Sequence, residues 1–193
     1  MPSTPSFEGY PKSFSLNDGT EVEIRPLASG DNEALLSLFQ RVPEEDLYYL
    51  KDTVTDPEVI NGWTQDINLE RVIPIEALHG DRVIADATLH RSRVFARRHI
   101  GELRLVVDPE FRGKGLGRRL MRELLDIAAE LELYRVVMEL VPEREDAAIE
   151  VAERMGFEKV ATLPARIRDY FGSYKDLVVL EISLSDRSSW WEE

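Results

Sequence analysis

Three alternating glycines carry the clearest chemical signal in the chain: Gly113, Gly115 and Gly117, with Arg112 before them and Lys114 among them. Glycine lets a backbone approach a ligand closely and lets several N–H groups point at one place. A helical pattern begins directly after these residues, and a helix N-terminus adds the positive end of its dipole. The spacing therefore predicts a loop that holds an anion such as a pyrophosphate.

Two well-known phosphate loops do not fit this segment. The P-loop requires Gly-x-x-x-x-Gly-Lys-Ser/Thr, and neither Lys-Ser nor Lys-Thr follows these glycines. The dinucleotide fingerprint requires a third glycine at the position where this chain has Arg118. What remains is Arg-x-x-Gly-x-Gly, from Arg112 through Gly115 to Gly117. Taken alone, this pattern is equally compatible with an ordinary glycine-rich turn before a helix.

The surrounding pattern favours the anion loop. Residues 102–107 alternate polar and apolar and then become fully apolar, which is typical of a strand that is covered on both faces. Apolar residues at helical spacing occupy 120–131. Four further segments show a regular pattern, with Gly156 as a C-terminal cap of the helix among them: strand 135–141, helix 148–155, and strands 157–160 and 177–184.

The N-terminal half is less regular. Its predicted elements are strand 22–26, a helix over 35–42 capped by Asp31, a helix over 43–50, and strands 72–78 and 83–89 joined by a hairpin turn. Residues 52–68 form the least regular stretch, because Asp56-Pro57 and Asn61-Gly62 predict breaks.

The order of strand, glycine loop, helix, strand, helix, Gly156-Phe157 and two strands resembles the core of the GNAT superfamily of N-acetyltransferases, and the loop resembles that family's pyrophosphate loop. The resemblance covers residues 21–185 and is sharpest over 102–157. It implies an α/β (α+β) GNAT fold, with a mixed twisted sheet of about six to seven strands flanked by helices on both faces. It also implies acetyl-CoA as co-substrate and no metal. The implied cofactor contacts lie on one strand and the loop: Leu105, Val106, Val107, Arg112, Gly113, Lys114, Gly115, Leu116, Gly117 and Arg118.

Length and composition set the domain organisation. The chain has 193 residues, of which 43% are hydrophobic and 32% charged, as expected for one globular domain. We expect a flexible N-terminal tail over 1–14, a single domain over 15–185, and a C-terminal tail over 186–193 with Trp190 and Trp191.

Several classes of protein are excluded by charge and composition. A net charge of -13 argues against nucleic-acid binding and is compatible with a cationic amine acceptor. No apolar stretch approaches the length of about 18 residues that a membrane span needs, and the N-terminus does not resemble a secretory signal. The absence of cysteine excludes disulfides and a cysteine nucleophile. Dependence on acetyl-CoA, which the resemblance implies, indicates a cytoplasmic protein.

Acetyl transfer needs a general base, because a lysine-like ammonium with a pKa of about 10.4 is not nucleophilic at neutral pH. Glu102 is the candidate that the resemblance favours, since some GNAT enzymes carry a catalytic glutamate near the start of this strand. The alternative is a solvent-facing glutamate that pairs with a neighbouring cation. Asp86 and His90 are the other candidates for the base. The thioester carbonyl also needs an N–H donor, which we expect among Val106, Val107 and Asp108.

The acid that protonates the CoA thiolate is where this chain departs from the family. Many members carry a tyrosine four residues before the glycine of the Gly-Phe pair, where this chain has Ala152. The protonation step must therefore use water or another residue, or need no acid at all. Tyr134, Tyr170 and Tyr174 are candidates, although such tyrosines are more often structural aromatics.

The resemblance implies acetyl transfer to a primary amine by direct attack in a ternary complex. Short segments at 22–27 and 83–87 are similar to bacterial protein lysine acetyltransferases, so we expect a protein lysine as acceptor, near residues 167–174. A small amine as acceptor and a non-catalytic acyl-CoA-binding module remain alternatives. We expect neither a nucleic-acid nor a membrane partner; the oligomeric state stays open, a dimer included.

Overall fold

The computed structural model describes residues 4–51 and 53–185, and its centre is one eight-stranded sheet. In the order of the chain, its strands are β1 Lys12–Ser15, β2 Glu21–Pro26, β3 Val72–His79, β4 Arg82–Arg91, β5 Ile100–Val107, β6 Arg135–Leu140, β7 Glu158–Arg168 and β8 Tyr174–Ser183. Their order across the sheet is β1-β2-β3-β4-β5-β6-β8-β7. Only β5 and β6 run parallel within it. The predicted mixed sheet is confirmed, with eight strands rather than six to seven.

Helices cover both faces of the sheet. They are α1 Asn32–Arg41, α2 Glu44–Leu47, α3 Pro57–Gln65, α4 Leu116–Glu130 and α5 Asp146–Arg154. The larger core contains the apolar side chains of α4 and Ala152 of α5, and the smaller core lies under α1 and α3. On β5, Leu105 and Val107 pack against the larger core, whereas Val106 packs against the smaller one. The alternation expected of a strand buried on both faces is thus present.

The parallel strands β5 and β6 part halfway along their length. They pair only from Ile100 opposite Arg135 to Glu102 opposite Val137. Beyond that point β5 stays paired with β4 as far as Val107, and β6 stays paired with β8. The sheet therefore opens between the C-terminal halves of β5 and β6.

The N-terminal segment differs from the flexible tail expected over 1–14. Strand β1 pairs with β2, and Phe7 and Tyr10 pack against the larger core. The carboxylate of Glu123 on α4, only 3% exposed, accepts a hydrogen bond from the Tyr10 hydroxyl at 2.9 Å and pairs with Lys12 at 2.6 Å. The segment is attached to α4 by these contacts. The expected C-terminal tail, with its two tryptophans, lies outside the described residues.

Two predictions near the N-terminus were wrong in detail. Residues 57–65 form α3 instead of an irregular stretch, because Asp56 caps the helix by accepting the Glu58 N–H at 2.9 Å and Pro57 takes a first-turn position. Asp31 makes no side-chain cap to α1. Its carboxylate instead accepts two hydrogen bonds from Arg25, at 2.6 and 2.7 Å.

Candidate active site

A fixed turn connects β5 to the glycine loop. Asp108, only 1% exposed, accepts the Glu110 N–H and pairs with Arg41 at 2.6 Å and with Arg82 at 2.8 Å. Burial by itself raises the pKa of Asp108, but the hydrogen bonds from Arg41 and Arg82 outweigh it and hold the pKa below its ordinary value. Asp108 therefore stays ionised at neutral pH and keeps the turn anchored to Arg41 and Arg82.

The loop presents a row of unused backbone donors. Within the part of the chain that the structure describes, no hydrogen bond takes the N–H groups of residues 113–118. Gly115 stands at the N-cap of α4 with φ 89° and no side-chain cap. Buried or ligand-facing N–H groups need acceptors, and a helix N-terminus favours a negatively charged one. The geometry thus fits an anion cradle.

The turn between β1 and β2 braces this loop from behind. The Asn17 N–H donates to the Lys114 carbonyl at 3.1 Å, and the Lys114 ammonium pairs with Asp18 at 2.9 Å. A Cβ on Gly115 would lie 3.1 Å from the Asn17 side chain, and one on Gly117 would lie 3.3 Å from a methyl group of Leu105. Glycine is required here because the hairpin and β5 approach so closely.

The basic residues of the loop divide into paired and unpaired groups. Arg112 donates to the Val107 carbonyl at 3.0 Å and pairs with Asp46 at 2.9 Å. Lys114 is held by Asp18. Arg118 is exposed, and no ion pair engages it among the described residues. It is therefore the loop cation that is most accessible to a phosphate.

The ladder between β4 and β5 fixes which N–H groups face the opening. Asp108 donates to the Ile84 carbonyl at 2.9 Å, and hydrogen-bonded pairs alternate along an antiparallel ladder. Val106, opposite Asp86, consequently directs its N–H toward β4, while Leu105 and Val107 direct theirs toward β6. Of the three expected donors, only Val107 has its N–H toward the opening.

A cavity of about 240 Å³ lies on the α1/α3 side of the sheet. Its walls come from β3, β4 and β5, from α1 and α3, and from the segments that flank α3. Leu105 and Val106 lie on its wall together with five charged residues: Lys51, Asp66, Arg71, Asp86 and Arg104. It thus joins the opening of the sheet to a chamber with both apolar and charged walls.

Asp86 is the buried carboxylate of this cavity. Its residue is 8% exposed, and no hydrogen bond or ion pair within the described residues engages its side chain. Burial raises the pKa of Asp86 to about 7. Because it lies opposite Val106 in the ladder, Asp86 is close to the strand segment where the sheet opens. A carboxylate with this pKa suits general base catalysis near neutrality.

Glu102 lies in a different environment. Its carboxylate accepts hydrogen bonds from the Lys51 ammonium at 2.6 Å and from the Arg104 guanidinium at 2.9 and 3.1 Å. Burial alone would raise the pKa of Glu102, but Arg104 and Lys51 more than offset it and lower the pKa to about 2. In this arrangement Glu102 is a weak base and a strong anchor for a cation.

Sequence reasoning missed the partners of Glu102. Arg104 could have been found, since residues two apart on a strand share a face. Lys51 lies between α2 and α3, and Glu139, 3.1 Å from its ammonium, lies on β6. Nothing in their local sequence indicates that they meet. The alternative base His90 does line the cavity.

The three tyrosines considered for the thiolate acid, Tyr134, Tyr170 and Tyr174, do not line this cavity, and Ala152 is fully buried. Tyr170 lines a second cavity of about 220 Å³ next to the end of β6. Glu145, beside the end of β6, accepts the Val141 N–H at 2.7 Å, and burial raises the pKa of its carboxyl. No group of three or more His, Cys, Asp or Glu residues arranged to hold a metal ion occurs in the described ranges. Over the same ranges, the helices are too short or too polar to span a bilayer.

Comparison with known proteins gives the family. Residues 33–157 match the model of the acetyltransferase (GNAT) family. A probable glucosamine 6-phosphate N-acetyltransferase 2 from Oryza sativa subsp. japonica is 31% identical over 132 residues, which covers 65% of this chain and 77% of that protein. L-amino acid N-acyltransferase MnaT from Escherichia coli (strain K12) is 30% identical over 91 residues, 47% of this chain; the chain spans about half of MnaT's length, 52%.

The fold has close counterparts among solved structures. The yncA protein from Salmonella typhimurium, solved with its cofactor acetyl-CoA, superposes with a TM-score of 0.73 at 21% identity, over 88% of this chain and 97% of that one. The family match over 33–157 includes the strands at the opening of the sheet and the glycine loop. The chain belongs to the GNAT family of acetyltransferases.

Proposed function

We propose that this GNAT enzyme transfers acetyl from acetyl-CoA to a primary amine that enters the cavity over β4 and β5 and attacks the thioester directly. One observation carries the proposal. Asp86, a buried carboxylate without a partner in the described residues, shares the cavity with the β5 segment at which the sheet opens. A proton acceptor and a route to the thioester are thus adjacent.

The residues present fit acetyl-CoA. The free N–H groups of residues 113–118 would hold the pyrophosphate, and Arg118 would add a positive charge. The N–H groups of Leu105 and Val107 face the opening and would stabilise negative charge on the thioester oxygen. When bound, acetyl-CoA supplies the activated acetyl group. The expected cytoplasmic location follows from this dependence and stays a prediction.

The two carboxylates have separate roles in the proposal. Asp86 takes the proton of the attacking amine, because its pKa of about 7 makes it a competent base at neutral pH. Glu102 holds the ammonium group of the acceptor before deprotonation, as it now holds the Lys51 ammonium. Glu102 is not the base in this proposal, because Arg104 and the ammonium group that it holds keep its pKa low.

Two classes of acceptor are supported by different observations. A small amine that also carries an anionic group is favoured by Arg71, a cavity cation without an ion pair to any described residue, and by the names of the two relatives. A protein lysine is favoured by Lys51, whose side chain shows that a lysine ammonium fits between Glu102 and Glu139. The chemistry at Asp86 is the same in both cases.

Release of free CoA thiol tests the activity. The enzyme is incubated with acetyl-CoA and, in parallel, with amino acids, amino sugar phosphates, polyamines and lysine-containing peptides. We expect acceptor-dependent thiol release with at least one of these classes. Tight acetyl-CoA binding without thiol release in any arm would favour the non-catalytic acyl-CoA-binding module. Absence of acetyl-CoA binding would refute the proposal.

A further inference from the structure

Lys51 occupies the place of an acceptor amine. Its ammonium lies 2.6 Å from a carboxylate oxygen of Glu102 on β5 and 3.1 Å from one of Glu139 on β6. Glu102 lies at the last paired position before β5 and β6 part. The chain thus places one of its own primary amines at the entrance to the opening, within the cavity that Asp86 and Val106 also line.

The other lysines of the chain lie elsewhere. Lys12, Lys114 and Lys175 are paired with Glu123, Asp18 and Glu143, none of which lines the cavity. Lys159 lies exposed on the edge strand β7. Proximity to a carbonyl carbon is worth orders of magnitude in rate for an intramolecular reaction. Lys51 is the lysine among the described residues that lines the cavity at the opening of the sheet, and so the one placed to benefit from proximity.

We propose that Lys51 is acetylated by the enzyme itself, an inference that rests on the proposed function. The Lys51 ammonium gives one proton to the Asp86 carboxylate through intervening water, since the ladder places Asp86 and Glu102 at positions four residues apart along β5. The neutral Nζ then attacks the thioester carbonyl carbon, a C–N bond forms, and the C–S bond breaks. The CoA thiolate leaves and takes a proton from solvent, and the nitrogen gives its second proton to water, which leaves a neutral amide.

The modification changes the site in a definite way. An acetylated Lys51 no longer carries a positive charge, so Glu102 and Glu139 lose the cation that bridges them. The pKa of Glu102 rises as a result, and an incoming ammonium group has no internal competitor. Self-acetylation would therefore convert a closed acceptor site into an open one.

The experiment maps acetyl groups on the full-length enzyme after incubation with isotope-labelled acetyl-CoA and no added amine. We expect label on Lys51 at least about tenfold faster than on Lys175, its ion-paired counterpart outside the cavity. The rate per enzyme molecule should not change on dilution, because the reaction is intramolecular. Lys51→Arg keeps the cation and should abolish the fast phase, whereas Lys175→Arg should leave it intact.

Four outcomes decide between these possibilities. Label on Lys51 that falls in Asp86→Asn supports the inference, because uncatalysed acetylation does not depend on that carboxylate. Equal label on Lys51, Lys159 and Lys175 refutes it. If added amines are acetylated while Lys51 stays unlabelled, self-acetylation fails but the proposed function stands. If acetyl-CoA is not bound at all, both fail.

Discussion

Glu76 of β3 and Asp86 of β4 lie directly opposite each other in the antiparallel ladder, so that two carboxyl groups share one face of the sheet. Glu76 is completely buried, and neither of its oxygens has a hydrogen-bond partner among the described residues. The Arg25 guanidinium lies 3.4 Å away, near enough for attraction but without hydrogen-bond geometry. Burial, with the charges of Asp31 and Asp86, raises the pKa of Glu76 to about 9. Glu76 is therefore neutral at pH 7, and Asp86 ionises next to an uncharged neighbour.

The pair predicts a pH-dependent stability. The folded pKa of Glu76 lies above the ordinary value of 4.5, so its contribution is fully present below about pH 4.5 and is lost as the pH rises toward 9. Glu76→Gln removes this loss and should be more stable than the wild type above neutrality. The slope difference should not exceed about 1.4 kcal/mol per pH unit. Urea unfolding at several pH values measures it; Glu23→Gln on β2 is the control. Parallel stability curves for Glu76→Gln and wild type would contradict the raised pKa.

Asp86 predicts the pH dependence of the reaction. As a base with a pKa of about 7, it must be ionised, so kcat/KM should rise with pH up to about 7 through this group. Asp86→Asn should lower kcat by about 10²-fold and leave acetyl-CoA affinity unchanged. Asp81→Asn, in the turn between β3 and β4, is the matched control. Glu102 is the base instead if Glu102→Gln lowers kcat more than Asp86→Asn does and the pH profile of kcat/KM shows no ionisation near pH 7.

A side chain introduced at position 115 should crowd the glycine loop and weaken acetyl-CoA binding. Gly115→Ala forces a side chain into a backbone with φ 89° and places its Cβ 3.1 Å from Asn17. We expect acetyl-CoA affinity to fall by about tenfold or more, equivalent to about 1.4 kcal/mol, in calorimetric titration. Gly113→Ala, where a Cβ meets nothing within 4 Å, should cost less. Adding Asn17→Ala to Gly115→Ala should restore part of the affinity; no restoration would mean that backbone strain alone is responsible.

The contacts of Glu123 should determine how strongly the N-terminal segment is attached to α4. Its buried carboxylate is shared by the Tyr10 hydroxyl, the Lys12 ammonium and Arg119 at 2.9 Å. Glu123→Ala leaves these partners without an acceptor and should destabilise the fold by about 2 kcal/mol, less than a fully buried pair because Lys12 and Arg119 are partly exposed. Thermal unfolding measures the loss. Glu150→Ala on α5, an exposed carboxylate that pairs with Arg154, should have a much smaller effect; equal losses would contradict the role of Glu123.

Much of the fold could be read from local sequence. The order of elements from β5 to β8 followed from the periods of apolar residues, because the face that a residue takes depends on its near neighbours. The glycine loop was equally visible, since a positive φ and a close backbone approach leave a mark in residue type. The parts that could not be read depend on contacts far apart in the chain. Strand β1 is short and is held in place by Glu123 of α4. Helix α3 contains Pro57 and Gly62, residue types that usually break helices.

The sequence by itself determined where an anion binds and that the chain carries a GNAT-like core, because both are set by short, contiguous patterns. Only the tertiary structure decided which carboxylate is free to accept a proton. Asp86 and Glu102 are both acidic residues on neighbouring strands, yet burial raises the pKa of one to about 7 and two cations lower the pKa of the other to about 2. The two cations at Glu102 are Arg104, on the same strand, and Lys51, from a distant part of the chain. Asp86 is buried by the helices that cover this face of the sheet. The charge state of a side chain is set by the groups packed around it, which the fold brings together from distant parts of the chain.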